Sequence, residues 1–406
     1  MTTPLSGLRV LDLSTTFSGP YCGQLLADLG ADVVKVEAPG LDVTRSLGTI
    51  RTPGLASVFV GANHGKSSVV LDLKAEDDYD FFLRLVSAGD VVLHNMRSRA
   101  AERLRIDYPT LRETAPHLVY AAISGYGSNG PYASRPAYDD TIQAMSGLAW
   151  LQSRQASRPT YMATPLADKT AGMMAALAVL AAVLHKTRTG VGQMVEIPMF
   201  ETLASWTLME QLGGRAFLPE EGPTGYDRLL HRRPHATRDG LVAVVVYHDG
   251  HWRRFLDHAG MGELLEDERF STVAARMRHI EELYGRLGAF VAERTTEECL
   301  ALFEKLDIPA TELLSTDQLF EDPHLRAVGL FREMHHTREG SFRATRSPLL
   351  FSETPTADPA GMAPPQLPGE GEPWARAWLD APRPWNTSGR PGPRMDTPPE
   401  GVPNPR

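Results

Sequence analysis

The sequence predicts an α/β protein built on an open, mostly parallel, Rossmann-like sheet. Three observations carry this expectation. Short runs of valine, leucine and isoleucine alternate with amphipathic stretches along the N-terminal third. Strand-length runs alternating with helical ones point to a mostly parallel sheet covered on both faces. And 406 residues exceed what one core usually holds, domains commonly running ~100–200 residues, so a second globular part is expected.

The elements follow in order. Leu8–Leu13 reads as a buried strand and Tyr21–Leu29 as a helix ending at Gly30, where glycine accepts the left-handed exit conformation. Asp32–Glu37 and Ser68–Leu73 are strands, Glu76–Ser87 a helix, Asp90–His94 and Leu118–Ser124 strands. A glycine- and proline-rich loop covers Gly125–Pro136. A long helix runs from about Thr170 to Lys186, closed by His185, Lys186, Arg188 and Gly190, and Val195–Met199 is a further strand. We divide the chain into residues 1–212, an α/β part; 213–329, a linker or lid and a smaller α+β domain; 330–354, which the resemblance given below implies returns to the large domain; and 355–406, a proline-rich arm. In the small domain Leu241–Tyr247 reads as a strand, and His251–Ala259, Arg278–Arg294 and Thr296–Leu306 as helices; Gly340–Thr354 is read as extended. The arm holds 14 of the 31 prolines, so helix and central strand are not expected there.

Bulk properties exclude several classes. A net charge of −9 without a long basic run argues against nucleic-acid binding. Cys22 and Cys299 give neither a disulfide framework nor a zinc spacing, which suits a reducing compartment. Met1–Arg9 has no hydrophobic signal core, and the apolar run Thr170–Leu184 falls short of the ~20 residues that span a bilayer. A cytoplasmic protein without membrane attachment is expected. The histidine pairs His231/His235, His248/His251 and His335/His336 lack a third ligand at metal spacing and are assigned hydrogen-bonding or surface roles.

Gly125-Tyr126-Gly127-Ser128-Asn129-Gly130 matches G-x-G-x-x-G, but Pro131 and Pro136 follow where a dinucleotide site needs a helix. The loop is read instead as one whose glycines let backbone approach a ligand. Asp168, in Pro165-Leu166-Ala167-Asp168-Lys169-Thr170, stands at the start of the long helix. Its plain reading is an N-cap; a helix N-terminus would also keep its carboxylate ionised and oriented, as a nucleophile requires. Asp139 and Asp140, being adjacent, point apart in most backbones, so a cap is their default reading.

Taken together, LSGLRVLDLSTTFSGPYCGQLLADLGADVVKVEAPG, ANHGKSSVVLDLK, VVLHNMRSRAAERL, YAAISGYGSNGPYASRPAYDDTIQAMSG and PLADKTAGMMAALAVLAAVLHKTRTGVGQ, with DGHWRRF, DIPATELLS and EDPHLRAVGLF further on, resemble the family III CoA-transferases over nearly the whole chain. The resemblance implies a large domain built from both chain ends, a smaller domain between them in sequence, and two chains interlocked as a homodimer. It implies that Asp168 is the nucleophile, forming an aspartyl anhydride and then an aspartyl-CoA thioester, with no metal or resident cofactor. It places Leu71, Lys74, Asn95, Met96, Arg103 and Leu104 along the CoA, and Phe17, Gly125, Gly127 and Tyr138 around the reacting acids. Backbone amides of the Gly125–Gly130 loop and of the helix start are expected to hold the oxyanions.

Formyl-CoA:oxalate transferases carry a glutamine where this chain has Phe17, and their glycine-rich lid has no counterpart here, which points to a larger or more apolar acyl group. A short acyl-CoA such as succinyl-CoA is the expected donor. Two rivals remain. The related α-methylacyl-CoA racemases use a Gly-His-Asp triplet where this chain has Ala137-Tyr138-Asp139, and tyrosine, ionising near ~10, replaces histidine poorly as a base. A non-catalytic acyl-CoA binding protein would tolerate loss of Asp168.

Overall fold

Six parallel strands form the main sheet of the computed structural model, which describes residues 2–156, 158–222, 231–336 and 339–381. They are β1 (Arg9–Asp12), β2 (Asp32–Glu37), β3 (Lys66–Val70), β4 (Val91–His94), β5 (Val119–Ser124) and β6 (Met194–Pro198). Their order is β3-β2-β1-β4-β5-β6, with Val10 in register with Val33 on one side and Val91 on the other. β1 and β4 are buried along their whole length, the charged ends Arg9 and Asp12 of β1 and the terminal His94 of β4 included. The chain leaves β1 and β4 in opposite directions. That reversal opens a crevice at their carboxyl ends, the position where open α/β sheets bind ligands.

The helices in this part are α1 (Ser18–Asp28), α2 (Ser57–Asn63), α3 (Glu76–Ala88), α4 (Ser98–Arg103), α5 (Tyr108–Thr114), α6 (Asp139–Met145), α7 (Leu148–Ser153), α8 (Leu166–Thr189) and α9 (Met199–Gln211). α3 opens with Glu76, Asp77 and Asp78, acids that favour a helix N-terminus. α1 exits through Gly30 and α8 through Gly190, both at positive φ as read from the sequence. α8 is longer than its apolar run: at 24 residues it has the length and composition to cross a membrane. Its small-residue face, Ala171, Gly172, Ala175, Val179 and Ala182, is instead buried, and the helix packs on α1, β5 and β6. Gly172 sets the closeness of that packing, because a Cβ there would stand 2.6 Å from the Ser18 carbonyl oxygen. The other face is not buried as its composition suggested: Met173, Leu177 and Leu184 are exposed.

The chain divides into two compact units, one of residues 1–146, 162–205 and 327–406, the other of residues 147–161 and 206–326. The second unit holds the antiparallel strands β7 (His235–Ala236), β8 (Leu241–Val244) and β9 (Ala310–Glu312) with α10 (Asp249–His258), α11 (Val273–Arg278), α12 (Ile280–Ala292) and α13 (Thr296–Lys305). Val242, Trp252, Phe255, Leu283, Leu287 and Phe303 form its core. Part of the expected lid, residues 223–230, lies outside the described residues.

α14 (Pro323–Ala327) leads to the hairpin β10 (Phe331–His336) and β11 (Gly340–Thr345), and then to α15 (Glu372–Asp380). α15 corrects the expectation that the proline-rich arm forms no helix. Pro373 falls in its first turn, where a missing N–H costs nothing. Trp374 and Trp378 each donate an indole N–H to Asp32, at 2.8 and 2.7 Å, and Trp378 is buried in the core of Phe82 and Leu85. Residues 382–406 lie outside the described residues.

Candidate active site

A network of buried charge shapes the loop between β1 and α1. Asp12 accepts from Lys66 Nζ at 2.8 Å and from the backbone N–H of Ser14 at 3.0 Å. Lys35 donates to the Ser14 carbonyl at 2.8 Å and pairs with Asp42 at 3.1 Å. Burial by itself would raise the Asp12 carboxyl; Lys66 and Lys35 outweigh it and hold it below the usual carboxylate range. Asp42 in turn accepts the backbone N–H of Thr16, which sits at φ 71°, a conformation a β-branched residue adopts only when its surroundings impose it. From the β4 side, Asn95 accepts the Thr15 N–H at 3.0 Å and donates to the Thr15 carbonyl at 2.7 Å. The side-chain amide of Asn95 thus clamps the β1–α1 loop across the crevice. His94 below it accepts the Met96 N–H through Nδ1, and burial pulls its pKa down to about 4, so the ring stays neutral.

Asp168 is the third residue of α8, within its first turn. The N-cap position belongs to Pro165, which corrects the capping reading of Asp168. Ser18, the first residue of α1, stands near enough for its hydroxyl and backbone N–H to favour the ionised form of the Asp168 carboxylate. The backbone N–H of Asp168 is capped by Asp139 Oδ1 of α6 at 3.0 Å. Asp139 is held in turn by Gln143, whose Nε2 donates to Asp139 Oδ2 at 2.5 Å and whose Oε1 accepts the Met162 N–H at 2.9 Å. Burial, and then the charge of Asp139, raise the Asp168 carboxyl to about 6, against the lowering pull of Ser18. The helix terminus therefore does not dominate, as the sequence reading had assumed. At pH 7 the carboxylate is still ionised by about ten to one.

Ser18, Asp139 and Gln143 were not singled out as site residues from the sequence. Two signs were available: a serine directly after Phe17, and Asp139 at the end of the Ala137-Tyr138-Asp139 triplet. Ser18 also touches the other half of the crevice: Asn95 Nδ2 lies 3.4 Å from its hydroxyl. Phe17 caps α1 through its backbone carbonyl, which accepts the Tyr21 N–H.

The glycine-rich loop is placed differently from expectation. Gly127 N–H donates to Glu201 at 2.9 Å, Ser128 N–H to Glu196 at 3.0 Å and Gly130 N–H to the Gly127 carbonyl at 3.1 Å. These amides are engaged and offer no oxyanion hole as they stand. Gly125 is needed for packing, since a Cβ would meet that of Ala137 at 2.4 Å. Tyr126 anchors the loop, its ring against Tyr132 and Phe200. Tyr138, at 75% exposure, stands in solvent in the single chain.

Of the residues assigned to CoA, Leu71 is buried in the apolar core beside the sheet, and Met96 and Leu104 pack partly buried against that same core. Lys74 and Arg103 are exposed, one after β3 and one at the end of α4. An α/β sheet with a carboxylate beside its switch point, apolar surface and two exposed cations suits an acyl-CoA better than a dinucleotide.

Comparison with known proteins agrees. The family model for CoA-transferase family III matches residues 5–370. A succinate–glutarate CoA-transferase of Agrobacterium fabrum is 31% identical over 363 residues, covering 87% of this chain and 90% of its own. A succinyl-CoA:mesaconate CoA-transferase of Haloarcula hispanica is 32% identical over 373 residues, covering 89% and 93%. Among solved structures, a CaiB/BaiF family protein from Brucella suis superimposes with a TM-score of 0.79 at 30% identity, over 94% of this chain and all of that one. The chain belongs to CoA-transferase family III. It is a CoA-transferase, an enzyme that takes CoA thioesters as substrates and passes CoA to an acid.

Proposed function

We propose that Asp168 carries the transfer covalently. Its carboxylate attacks the thioester carbonyl of the donor, the carbon–sulfur bond breaks, and CoA leaves as the thiolate, giving a mixed anhydride. The thiolate then attacks the aspartyl carbonyl and releases the donor acid as its carboxylate, leaving an aspartyl-CoA thioester. The acceptor carboxylate repeats these steps in reverse, so atoms and charge balance without metal or redox chemistry. The observation that carries this reading is the placement of the carboxylate: in the first turn of α8, where that helix packs on α1 and Asp139 holds the Asp168 N–H at 3.0 Å, with Ser18 favouring its ionised form. The same Ser18 donors are the ones suited to developing oxyanions, in place of the engaged loop amides.

CoA lies along the carboxyl ends of β3 and β4 in this reading. Met96 and Leu104, partly buried, supply apolar surface over the core that holds Leu71, and Lys74 and Arg103 meet phosphates. Asn95 acts through its clamp on Thr15, and Phe17, Gly125, Gly127 and Tyr138 border the acyl groups. Two chains form the interlocked dimer that the family resemblance implies; the exposed Met173, Leu177 and Leu184 of α8 are apolar surface of the kind a partner covers. Relatives that act on succinate, glutarate and mesaconate favour a dicarboxylic acid as acceptor or donor.

The test is intact-protein mass after incubation with a panel of acyl-CoAs and rapid quenching, followed by hydroxylamine or borohydride. A mass gain equal to bound CoA before that treatment, replaced after it by a hydroxamate or an alcohol mapped to Asp168, identifies the intermediate and its donor. No adduct with any donor, together with exchange of the α-proton in deuterated water, would move the chain to the racemase chemistry and sink the covalent reading.

A further inference from the structure

The second unit contains a cavity of about 440 Å³ that lies apart in sequence from every residue assigned to CoA or to Asp168. Three stretches wall it: Arg154 and Gln155 just after α7; His231, Arg233 and His235 leading into β7; and Glu281, Tyr284, Gly285 and Gly288 on one face of α12. The space exists because that helix face carries glycine twice. A Cβ at Gly285 would meet nothing within 4 Å, and one at Gly288 would press on His235 Nδ1 at 3.1 Å.

Two polar atoms on its walls are unsatisfied. His235 and Tyr284 are 7% and 5% exposed, yet neither His235 Nε2 nor the Tyr284 hydroxyl has a hydrogen-bond partner among the described residues. Buried groups of this kind are nearly always paired, so two side by side call for an explanation. Their rings are stacked at 21°, and Trp252 packs edge-on against Tyr284, which fixes the pair in place. Burial, and next the charge of Arg233, favour the neutral form of the His235 ring. Around these neutral donors the walls carry two arginines, Arg154 and Arg233, against the single acid Glu281. Neutral hydroxyl and imidazole groups below arginines suit an oxyanion, which accepts from both. The volume is at the small end of ligand sites and too small for an intact CoA.

We propose that this cavity is a second binding site, for a compact oxyanion: a carboxylate or a phosphate on a small molecule, held by Arg154 and Arg233 and by the Tyr284 hydroxyl and His235 Nε2. Because all these residues belong to the second unit, the proposal stands independently of the role of Asp168.

Calorimetric titration of the full-length protein with glutarate, and separately with inorganic phosphate, tests it in wild type, Arg233→Ala and Tyr284→Phe. Arg233 is exposed and phenylalanine keeps the Tyr284 ring, so both variants should fold, which circular dichroism checks. The expected result is binding of at least one probe that Arg233→Ala weakens about tenfold or more and Tyr284→Phe about two- to tenfold, with CoA affinity unchanged. Loss of the glutarate response alone assigns the site to carboxylates, and loss of the phosphate response alone to phosphates. If neither probe binds wild type, or each binds both variants as tightly as wild type, the site is not where we place it and the proposal is overturned.

Discussion

Asp139 acts on Asp168 twice: its carboxylate caps the Asp168 backbone N–H at 3.0 Å, and its charge raises the pKa of the Asp168 side chain. The same contact that fixes the start of α8 therefore tunes the group at the centre of the proposed chemistry.

Asp139→Asn separates the two effects. The amide oxygen can keep the cap while the charge is lost. The acid limb of kcat/KM against pH, expected near pH 6, should move down by up to roughly one unit, with little change in melting temperature. An unmoved limb would mean that burial alone sets the midpoint. Asp139→Ala should in addition cost about 1 kcal/mol of stability through the lost cap.

Asp168→Asn should abolish turnover yet stabilise the fold at neutral pH. The folded carboxyl is raised from its ordinary 3.8 to about 6. Between those values the folded state binds the proton and the unfolded chain does not, so stability falls as pH rises through the window. The favourable contribution is complete below the lower value and gone above the upper one. Denaturant melts at pH 3.5 and pH 7 should show near-equal stabilities at the lower pH and an advantage for the variant, on the order of 2–3 kcal/mol, at the higher.

Ser18→Ala removes a hydroxyl that favours the ionised carboxylate. The acid limb should shift upward, opposite to Asp139→Asn, and kcat should drop by about 10²-fold if the same hydroxyl serves an oxyanion. A drop in kcat without a shifted limb would assign Ser18 to the oxyanion alone.

Gly172→Ala should lower the melting temperature, because its Cβ would stand 2.6 Å from the Ser18 carbonyl oxygen and must push α8 from α1. Overpacking of this kind costs about 1–3 kcal/mol. Gly61→Ala in α2 is the control: nothing lies within 4 Å of the new Cβ, so it should be neutral or stabilising by up to about 1 kcal/mol.

Lys66→Met leaves Asp12 buried without its closest cation, at a position where both side chains are almost completely enclosed. Breaking a buried pair on one side costs about 3–5 kcal/mol. Loss of activity that tracks the fraction unfolded would confine Lys66 to shaping the β1–α1 loop.

Local pattern determined most of the sheet. Asp32–Glu37 reads as a strand and is one, residue for residue, on the strength of Val33, Val34 and Val36, although Lys35 and Glu37 are buried beside them. α3, α12 and α13 are legible for a related reason, their apolar face recurring at the helical period. Glycine exits after α1 and α8 follow from backbone sterics alone. α15 is hidden by the proline density of its segment, whereas the fold uses Pro373 only in a first turn. Family likeness singled out Asp168 as well, but not the groups around it. Ser18 is 150 residues from Asp168 and Asp139 is 29 residues away, and only the packing of α1 and α6 against α8 brings the three together. The engagement of the Gly125–Gly130 amides and the pKa of Asp168 were likewise decided in three dimensions. Hydrogen bonding and desolvation depend on which groups meet and how much water is excluded, and neither is a property of adjacent residues.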